Sequence, residues 1–162
     1  MYRVSFTGYR PEKLPFFSED DPMCVELKNR LSKQIEQLIK DGADEFFSGM
    51  ARGVDMWAAE AVLELKRTYP NIKLTAVIPC PEQADGWIDE DRDRYHAILE
   101  ACDKKLVISP HYSKGCMQKR NRALVDTCDI LVAVFDGQSG GTKQTVDYAK
   151  SKGRKTFIIP PM

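Results

Sequence analysis

The feature that most constrains the fold is a regular alternation of strand-like and helix-like runs along the whole sequence. The strand-like runs are residues 2–6, 45–48, 74–78, 105–108, 130–135 and 156–159, and the helix-like runs are 24–40, 54–68, 91–101, 117–126 and 142–152. The run 74–78 is apolar without a break, which is typical of a strand covered by helices on both sides. The pattern therefore predicts the α/β class, with a doubly wound, mainly parallel sheet and helices on both faces.

Length and composition narrow the functional class. With 162 residues, the chain suits a single domain spanning 1–162. Its 24 basic and 24 acidic residues give no general attraction to nucleic acid or to a membrane surface. Its five cysteines form no C-x-x-C pair, which favours reduced thiols in a cytoplasmic protein over a disulfide framework. We expect neither a membrane span nor a signal peptide, because no long apolar run is present.

A metal site and a catalytic triad are both unexpected. His96 and His111 are the two histidines, and neither has metal-type spacing or an adjacent carboxylate or nucleophile. The aspartates at positions 85, 89, 91 and 93 fail the calcium-loop spacing. A solvated acidic helix start explains them better.

The most informative loop is SGMARGVD at 48–55, which leads from a short aromatic strand into an Ala-rich helix. Gly49 and Gly53 allow the backbone to approach a ligand closely, and the helix start beyond them suits a phosphate. Arg52 adds a charged, forked donor, and Asp55 lies in the first helical turn. The loop predicts binding of a phosphorylated small molecule; a plain strand-to-helix turn with Arg52 in solvent is the alternative.

Two further loops follow strands at the same predicted sheet edge, where doubly wound sheets bind ligands. Gly8 and Arg10 follow the first strand, without the G-x-G-x-x-G fingerprint or the Walker lysine. Gly140, Gly141 and Thr142 form a second candidate anion nest, with Thr142 as N-cap or phosphate donor. The alternatives are a solvated Arg10 and a flexible turn with an ordinary threonine cap.

Two other segments at this edge supply candidate side chains. Arg120 and Asn121, near the start of the fourth helix, are predicted to face the ligand from opposite the glycine loops. Trp87 is a loop aromatic that either stacks on a base or caps the core.

These motifs together resemble the YpsA-like branch of the SLOG superfamily, which includes the DNA-processing protein DprA and the LOG phosphoribohydrolases. The resemblance rests on TGYRP at 7–11, SGMARGVD at 48–55, RNR at 120–122 and DGQSGGT at 136–142. It covers nearly the whole chain in the right order. It implies a Rossmann-like sheet that binds nucleotides or nucleotide-derived ligands, in a homo-oligomer.

The same resemblance argues against LOG-type activity. LOG enzymes carry the pattern PGGxGTxxE with a catalytic glutamate, assisted by an arginine in a Met-x-x-Arg-Lys run. Arg120 matches that arginine, but Thr145 stands where the glutamate would be. A hydroxyl cannot replace a carboxylate that stabilises a ribosyl oxocarbenium ion or activates water.

The sequence therefore predicts binding of a nucleotide or a nucleotide-derived phosphorylated small molecule, with ligand sensing as the role that such binding would serve and without assured catalysis. One alternative is a hydrolase that cleaves an N-glycosidic or phosphate-ester bond with Asp55 or Asp136 as the acid. The other is a weak binder of single-stranded nucleic acid, supported by Lys114, Lys119, Arg120 and Arg122 and weakened by the zero net charge. No metal or certain cofactor is expected.

Overall fold

A computed structural model describes residues 2–162. The strands are β1 (Tyr2–Gly8), β2 (Ala43–Ser48), β3 (Lys73–Ile78), β4 (Lys104–Val107), β5 (Ile130–Val134) and β6 (Lys155–Ile159). The helices are α1 (Pro22–Lys40), α2 (Val54–Lys66), α3 (Asp89–Ala101), α4 (Cys116–Thr127) and α5 (Gly141–Ser151), with a short 3-10 helix at Pro11–Lys13. The predicted order of elements is confirmed, with ends that differ by one or two residues.

Local chemistry explains the start of α1. The helix begins at Pro22, two residues before the prediction, because the Asp21 carboxylate accepts a hydrogen bond of 2.9 Å from the Met23 amide. A proline at the first helical position lacks the amide that would otherwise have no partner there. The cap and the proline together fix where the chain enters α1.

The sheet is entirely parallel and has the strand order β4-β3-β2-β1-β5-β6. From β1 the chain adds strands in one direction as far as β4, and α4 then carries it back to β5 on the other side of β1. This reversal is the topological switch point of a Rossmann-like doubly wound sheet, so the predicted fold class is confirmed. Such sheets open a crevice at the carboxyl ends of the strands beside the switch.

The sheet separates two layers of helices, with α1, α2 and α3 on one face and α4 and α5 on the other. Strand β5 shows the division most clearly because all five of its residues are buried. Ile130 and Val132 join the large core formed with α1 and α2, whereas Leu131 and Ala133 pack against α4 and α5. Burial on both sides explains the unbroken apolar strand sequence.

The segment between β1 and α1 folds back over the carboxyl edge and is held at both ends. Near its start, the buried Tyr9 donates its hydroxyl to the Asp136 carboxylate at 2.6 Å. Near its end, Glu19 pairs with Arg94 of α3 at 2.6 Å, and this contact lowers the pKa of Glu19 to about 2. The 3-10 helix Pro11–Lys13, hereafter the strap, therefore lies in a fixed place above the sheet edge. From the sequence alone, the proline-bearing segment 11–22 is predicted to be only a surface loop after the first strand.

None of the helices in residues 2–162 is long and apolar enough to cross a membrane. Within the same residues, no group of three or more His, Cys, Asp or Glu side chains is arranged to hold a metal ion. All five cysteines are free, and four of them are buried as packing residues.

Candidate ligand-binding cleft

A cleft of about 590 Å³ opens at the carboxyl edge of the sheet, beside the switch point. Its lining comes from the end of β1, the strap, the β2–α2 loop and the starts of α2, α4 and α5. The lining residues are Thr7, Gly8, Tyr9, Arg10, Glu12, Lys13, Ala51, Arg52, Asp55, Met117, Gln118, Arg120, Asn121, Gly141, Thr142 and Gln144. The structure thus brings together most of the predicted site residues, while Gly49, Gly53, Gly140 and Trp87 lie outside the lining.

Arg120 is the central side chain of the cleft. It is only 3% exposed, yet no carboxylate of residues 2–162 forms an ion pair with it. Its Nη1 donates to the Gly49 carbonyl and to Gln83 Oε1 at 3.2 Å, and its Nε donates to Asn121 Oδ1 at 2.8 Å. Burial lowers its pKa, opposed mainly by the charge of Asp55. A buried guanidinium held by neutral acceptors is suited to an anion.

One nitrogen of this guanidinium remains for a ligand. Within the described part of the chain, Nη2 has a single partner, the Met117 sulfur at 3.7 Å. Sulfur is a weak acceptor, so this contact leaves most of the donor capacity of Nη2 unused. A phosphate oxygen in the cleft would complete it.

Gly49 is a glycine because of Arg120. A Cβ atom at this position would lie 2.8 Å from both Cδ and Nη1 of the arginine. The sequence interpretation assigned this glycine to close approach of a ligand. The structure instead gives the space to the Arg120 side chain, which crosses the end of β2.

Gly53 also serves a contact within the protein. It has a φ of 87°, and a Cβ there would lie 2.7 Å from the Tyr9 carbonyl oxygen and 2.9 Å from Pro11 Cδ. The Val54 amide donates to that same carbonyl at 3.3 Å. Because the first amide of α2 is already bonded, the start of α2 is less open to a phosphate than the sequence predicted.

The start of α5 is more open than the start of α2. Its first backbone hydrogen bond joins the Gln144 amide to the Gly140 carbonyl, so the amides of Gly141 and Thr142 have no acceptor within the helix. No acidic residue occupies the first turn, and no side chain caps it. The N-cap is Gly140, so the N-cap role, one of the two roles predicted for Thr142, is wrong. Thr142 is the second helical residue and lines the cleft, so it remains a candidate donor.

Asp55 is a buried carboxylate with unused bonding capacity. It is 7% exposed; Oδ2 accepts from the Ala51 amide at 3.3 Å, and Oδ1 has no hydrogen-bond partner in residues 2–162. Burial raises its pKa, an effect opposed mainly by the charge of Arg120. A buried carboxylate oxygen without a hydrogen-bond donor lowers the stability of the fold. Oδ1 is therefore suited to accept a hydrogen bond from a ligand hydroxyl or N–H group.

The charge of the cleft is positive overall. Four basic side chains line it, against two acidic ones, Glu12 and Asp55. Arg52 pairs with Glu12 at 2.5 Å, and Lys13 donates to the Ser139 carbonyl at 2.6 Å. Sequence reasoning missed Glu12, Lys13, Gln118 and Gln144. The available signal was Pro11, which is typical of the first position of a helical turn and points to the strap.

Trp87 and Asp136, which were named as candidates, and Thr145, which stands in place of the LOG glutamate, all lie outside the cleft lining. Trp87 is half-buried and packs edge-on against Tyr95 at 5.2 Å, which matches the core-capping alternative. Asp136 accepts a hydrogen bond from the Tyr9 hydroxyl and does not itself line the cleft. Thr145 is 2% exposed and donates to the Gly141 carbonyl at 2.9 Å; it lines an adjoining groove between α4 and α5. No carboxylate therefore stands at the LOG glutamate position.

Comparison with known proteins agrees with the fold. The YpsA profile, described as the YspA SLOG family, matches residues 4–158. The chain belongs to this family. A UPF0398 protein of Bacillus thuringiensis (strain Al Hakam) is 32% identical over 153 residues, which cover 93% of this chain and 83% of the relative. A UPF0398 protein of Bacillus pumilus (strain SAFR-032) is 30% identical over 141 residues, which cover 86% of this chain and 76% of the relative.

Two solved structures share the fold of this YpsA-family chain. DNA processing protein A from Helicobacter pylori superposes with a TM-score of 0.69 at 21% identity, and DprA from Streptococcus pneumoniae with 0.65 at 20%. The matches cover 98% of this chain but only 65% and 50% of those chains. At such identities the likeness shows the fold alone.

The packing of Gly49 against Arg120 gives a stability prediction. Replacing Gly49 with Ala forces the arginine to shift and should lower the free energy of unfolding by about 1–3 kcal/mol, as overpacking does. Gly86→Ala is the matched control, because nothing lies within 4 Å of a Cβ there, and it should change stability by less than about 0.5 kcal/mol. Urea unfolding of both variants measures the difference; equal stabilities would contradict the assigned role of Gly49.

Proposed function

We propose that this YpsA-family protein binds a nucleotide or a nucleotide-derived phosphorylated small molecule in the cleft, as a ligand-binding and sensing protein. The observation that supports the proposal is the buried guanidinium of Arg120, which has neutral hydrogen-bond acceptors but no ion-pair partner among residues 2–162. It lies in a cleft that also receives the open start of α5, with Gly141 and Thr142. A helix start and a forked cation together hold a phosphate from two sides.

The rest of the cleft suits the remainder of a nucleotide. A volume of about 590 Å³ lies in the usual range of small-molecule sites. The free Oδ1 of Asp55 supplies an acceptor for a ribose hydroxyl or a base N–H group. The amide side chains of Gln118, Asn121 and Gln144 add donors and acceptors at the opposite side. Phosphate and a hydrogen-bonding organic group are thus both accommodated.

Two broader properties belong to the same proposal. Free thiols suit a reducing compartment, so the five unpaired cysteines support a cytoplasmic location. Membership of the SLOG superfamily supports assembly as a homo-oligomer. Neither property enters the reasoning about the cleft.

Arg120→Lys tests the phosphate contact while keeping the charge. A panel of nucleoside mono- and diphosphates should raise the melting temperature of the wild-type protein, because a ligand specific to the folded state stabilises it. The variant loses the forked donor, and its affinity should fall about tenfold or more. Lys119→Ala is the control, since this exposed residue of the same helical turn lies outside the cleft lining. Circular dichroism verifies folding; unchanged affinity of a folded Arg120→Lys protein would refute the contact.

A second candidate function is hydrolysis of the N-glycosidic bond, and the buried Asp55 carboxylate favours it. Water would attack the anomeric carbon and give a proton to the Asp55 carboxylate, while the base leaves with the electrons of the carbon–nitrogen bond and takes up a proton from solvent. Asp55 would then release its proton to solvent, so that one water is consumed in total. Asp55 is the unpaired acid of the cleft in the described residues, since Glu12 is held by Arg52. However, Thr145 in α5 stands at the motif position where LOG enzymes carry their catalytic glutamate.

We therefore expect binding without turnover. Nucleoside monophosphates incubated with the purified protein should release no free base at an enzymatic rate, as measured by chromatography. Multiple turnovers that are lost in Asp55→Asn and retained in Asp136→Asn would establish the hydrolase instead. Asp136 is a suitable control because it lies outside the cleft lining.

Single-stranded nucleic acid is the third candidate. The H. pylori relative by fold is described as having a single-stranded DNA binding mode. In this chain Arg120 is buried, so fewer basic residues remain on the surface of α4. Asp85 and Asp89 are exposed on the neighbouring loop and helix start. Labelled single strands at near-physiological salt should give no tight complex; nanomolar affinity would favour the DprA-like function over the small-molecule one.

A further inference from the structure

We infer that Glu12 is an internal competitor in the cleft, whose carboxylate pairs with Arg52 and competes there with the anionic group of a ligand. This inference rests on the proposed function and deepens it, since it states what limits the affinity of the cleft for anions. The competing group belongs to the strap, which the sequence analysis did not include in the site.

The contact between the two side chains is direct. Glu12 Oε1 lies 2.5 Å from Arg52 Nη2, and both residues line the cleft. Among residues 2–162, this carboxylate is the single hydrogen-bond and ion-pair partner of the Arg52 side chain. The hydrogen bond to Arg52 also lowers the pKa of Glu12, so the carboxylate is charged at neutral pH. An internal anion therefore sits on a cation that faces the ligand space.

The strap backbone is fixed, but the Glu12 side chain is free to leave. The Lys13 amide donates to the Arg10 carbonyl at 3.0 Å, and the Lys13 Nζ donates to the Ser139 carbonyl at 2.6 Å. The Glu12 side chain is 61% exposed, against 27% for Arg52. Rotation into solvent thus releases Arg52 without moving the strap. Because exposed ion pairs contribute little, the exchange has a small cost.

This arrangement limits the affinity of the cleft for anions. A ligand anion must displace Glu12 before it reaches Arg52, and the cost of breaking that pair is the same for every anion that does so. A phosphate monoester near neutral pH carries up to two charges and three acceptor oxygens, so it can replace the Glu12 carboxylate as the partner of Arg52. Glu12 should therefore weaken the binding of all such anions by one common factor.

Calorimetric titration of Glu12→Gln tests the competition with adenosine 5′-monophosphate, inorganic phosphate and acetate as probes. The variant should bind the monophosphate about two- to fivefold more tightly than wild type, within the range of an exposed ion pair. Inorganic phosphate and acetate that bind at Arg52 should gain by the same factor. Asp20→Asn removes one charge from the same β1–α1 segment, outside the cleft lining, and should leave these affinities unchanged.

A double-mutant cycle shows whether the effect passes through Arg52. In an Arg52→Gln background, Glu12→Gln should no longer tighten binding. If wild type binds the monophosphate and Glu12→Gln binds it equally or more weakly, the inference fails while the proposed function stands. If tightening persists without Arg52, a general charge effect replaces the competition. If neither protein binds any probe, the proposed function fails and the inference with it. Binding by the variant alone supports both.

Discussion

The buried guanidinium of Arg120 is the interaction on which the site depends. From α4 it reaches the Gly49 carbonyl at the end of β2 and Gln83 in the loop after β3, so it fixes the relative positions of three segments. Its path across β2 requires a glycine at position 49. Because these partners are neutral, its positive charge remains available beside the open start of α5. One side chain thus organises the sheet edge and, in the proposed function, also supplies the charge that holds the anion.

The fold was largely predictable because its causes are local or repetitive. Burial of β5 between two helical layers appears in the sequence as an unbroken apolar run, and the alternation of elements leaves few topologies. The conformation of the segment after β1 was not predictable in this way. It depends on contacts such as Tyr9 with Asp136, which lie 127 residues apart in sequence. No local pattern encodes such a pair.

The sequence predicted which residues lie at the cleft better than it predicted the contacts that require them there. Arg120, Asn121, Gly141 and Thr142 were expected at the cleft and lie there. The sequence interpretation assigned the glycines at 49 and 53 to close approach of a ligand, but they accommodate Arg120 and, at position 53, the Tyr9 carbonyl and the Pro11 ring. A glycine in a sequence indicates that a Cβ does not fit or that φ is positive; the neighbouring group that requires it is known only from the structure. The same limit hid Glu12, whose role depends on Arg52 forty residues away.

The most direct measurement is a crystal structure of the protein with adenosine 5′-monophosphate. The phosphate should lie within about 2.7–3.2 Å of Arg120 Nη2 and of the amides of Gly141 or Thr142. A ribose hydroxyl or base N–H group should meet Asp55 Oδ1. A phosphate bound instead at the start of α2, or a nucleotide bound away from this cleft, would contradict the central role of Arg120.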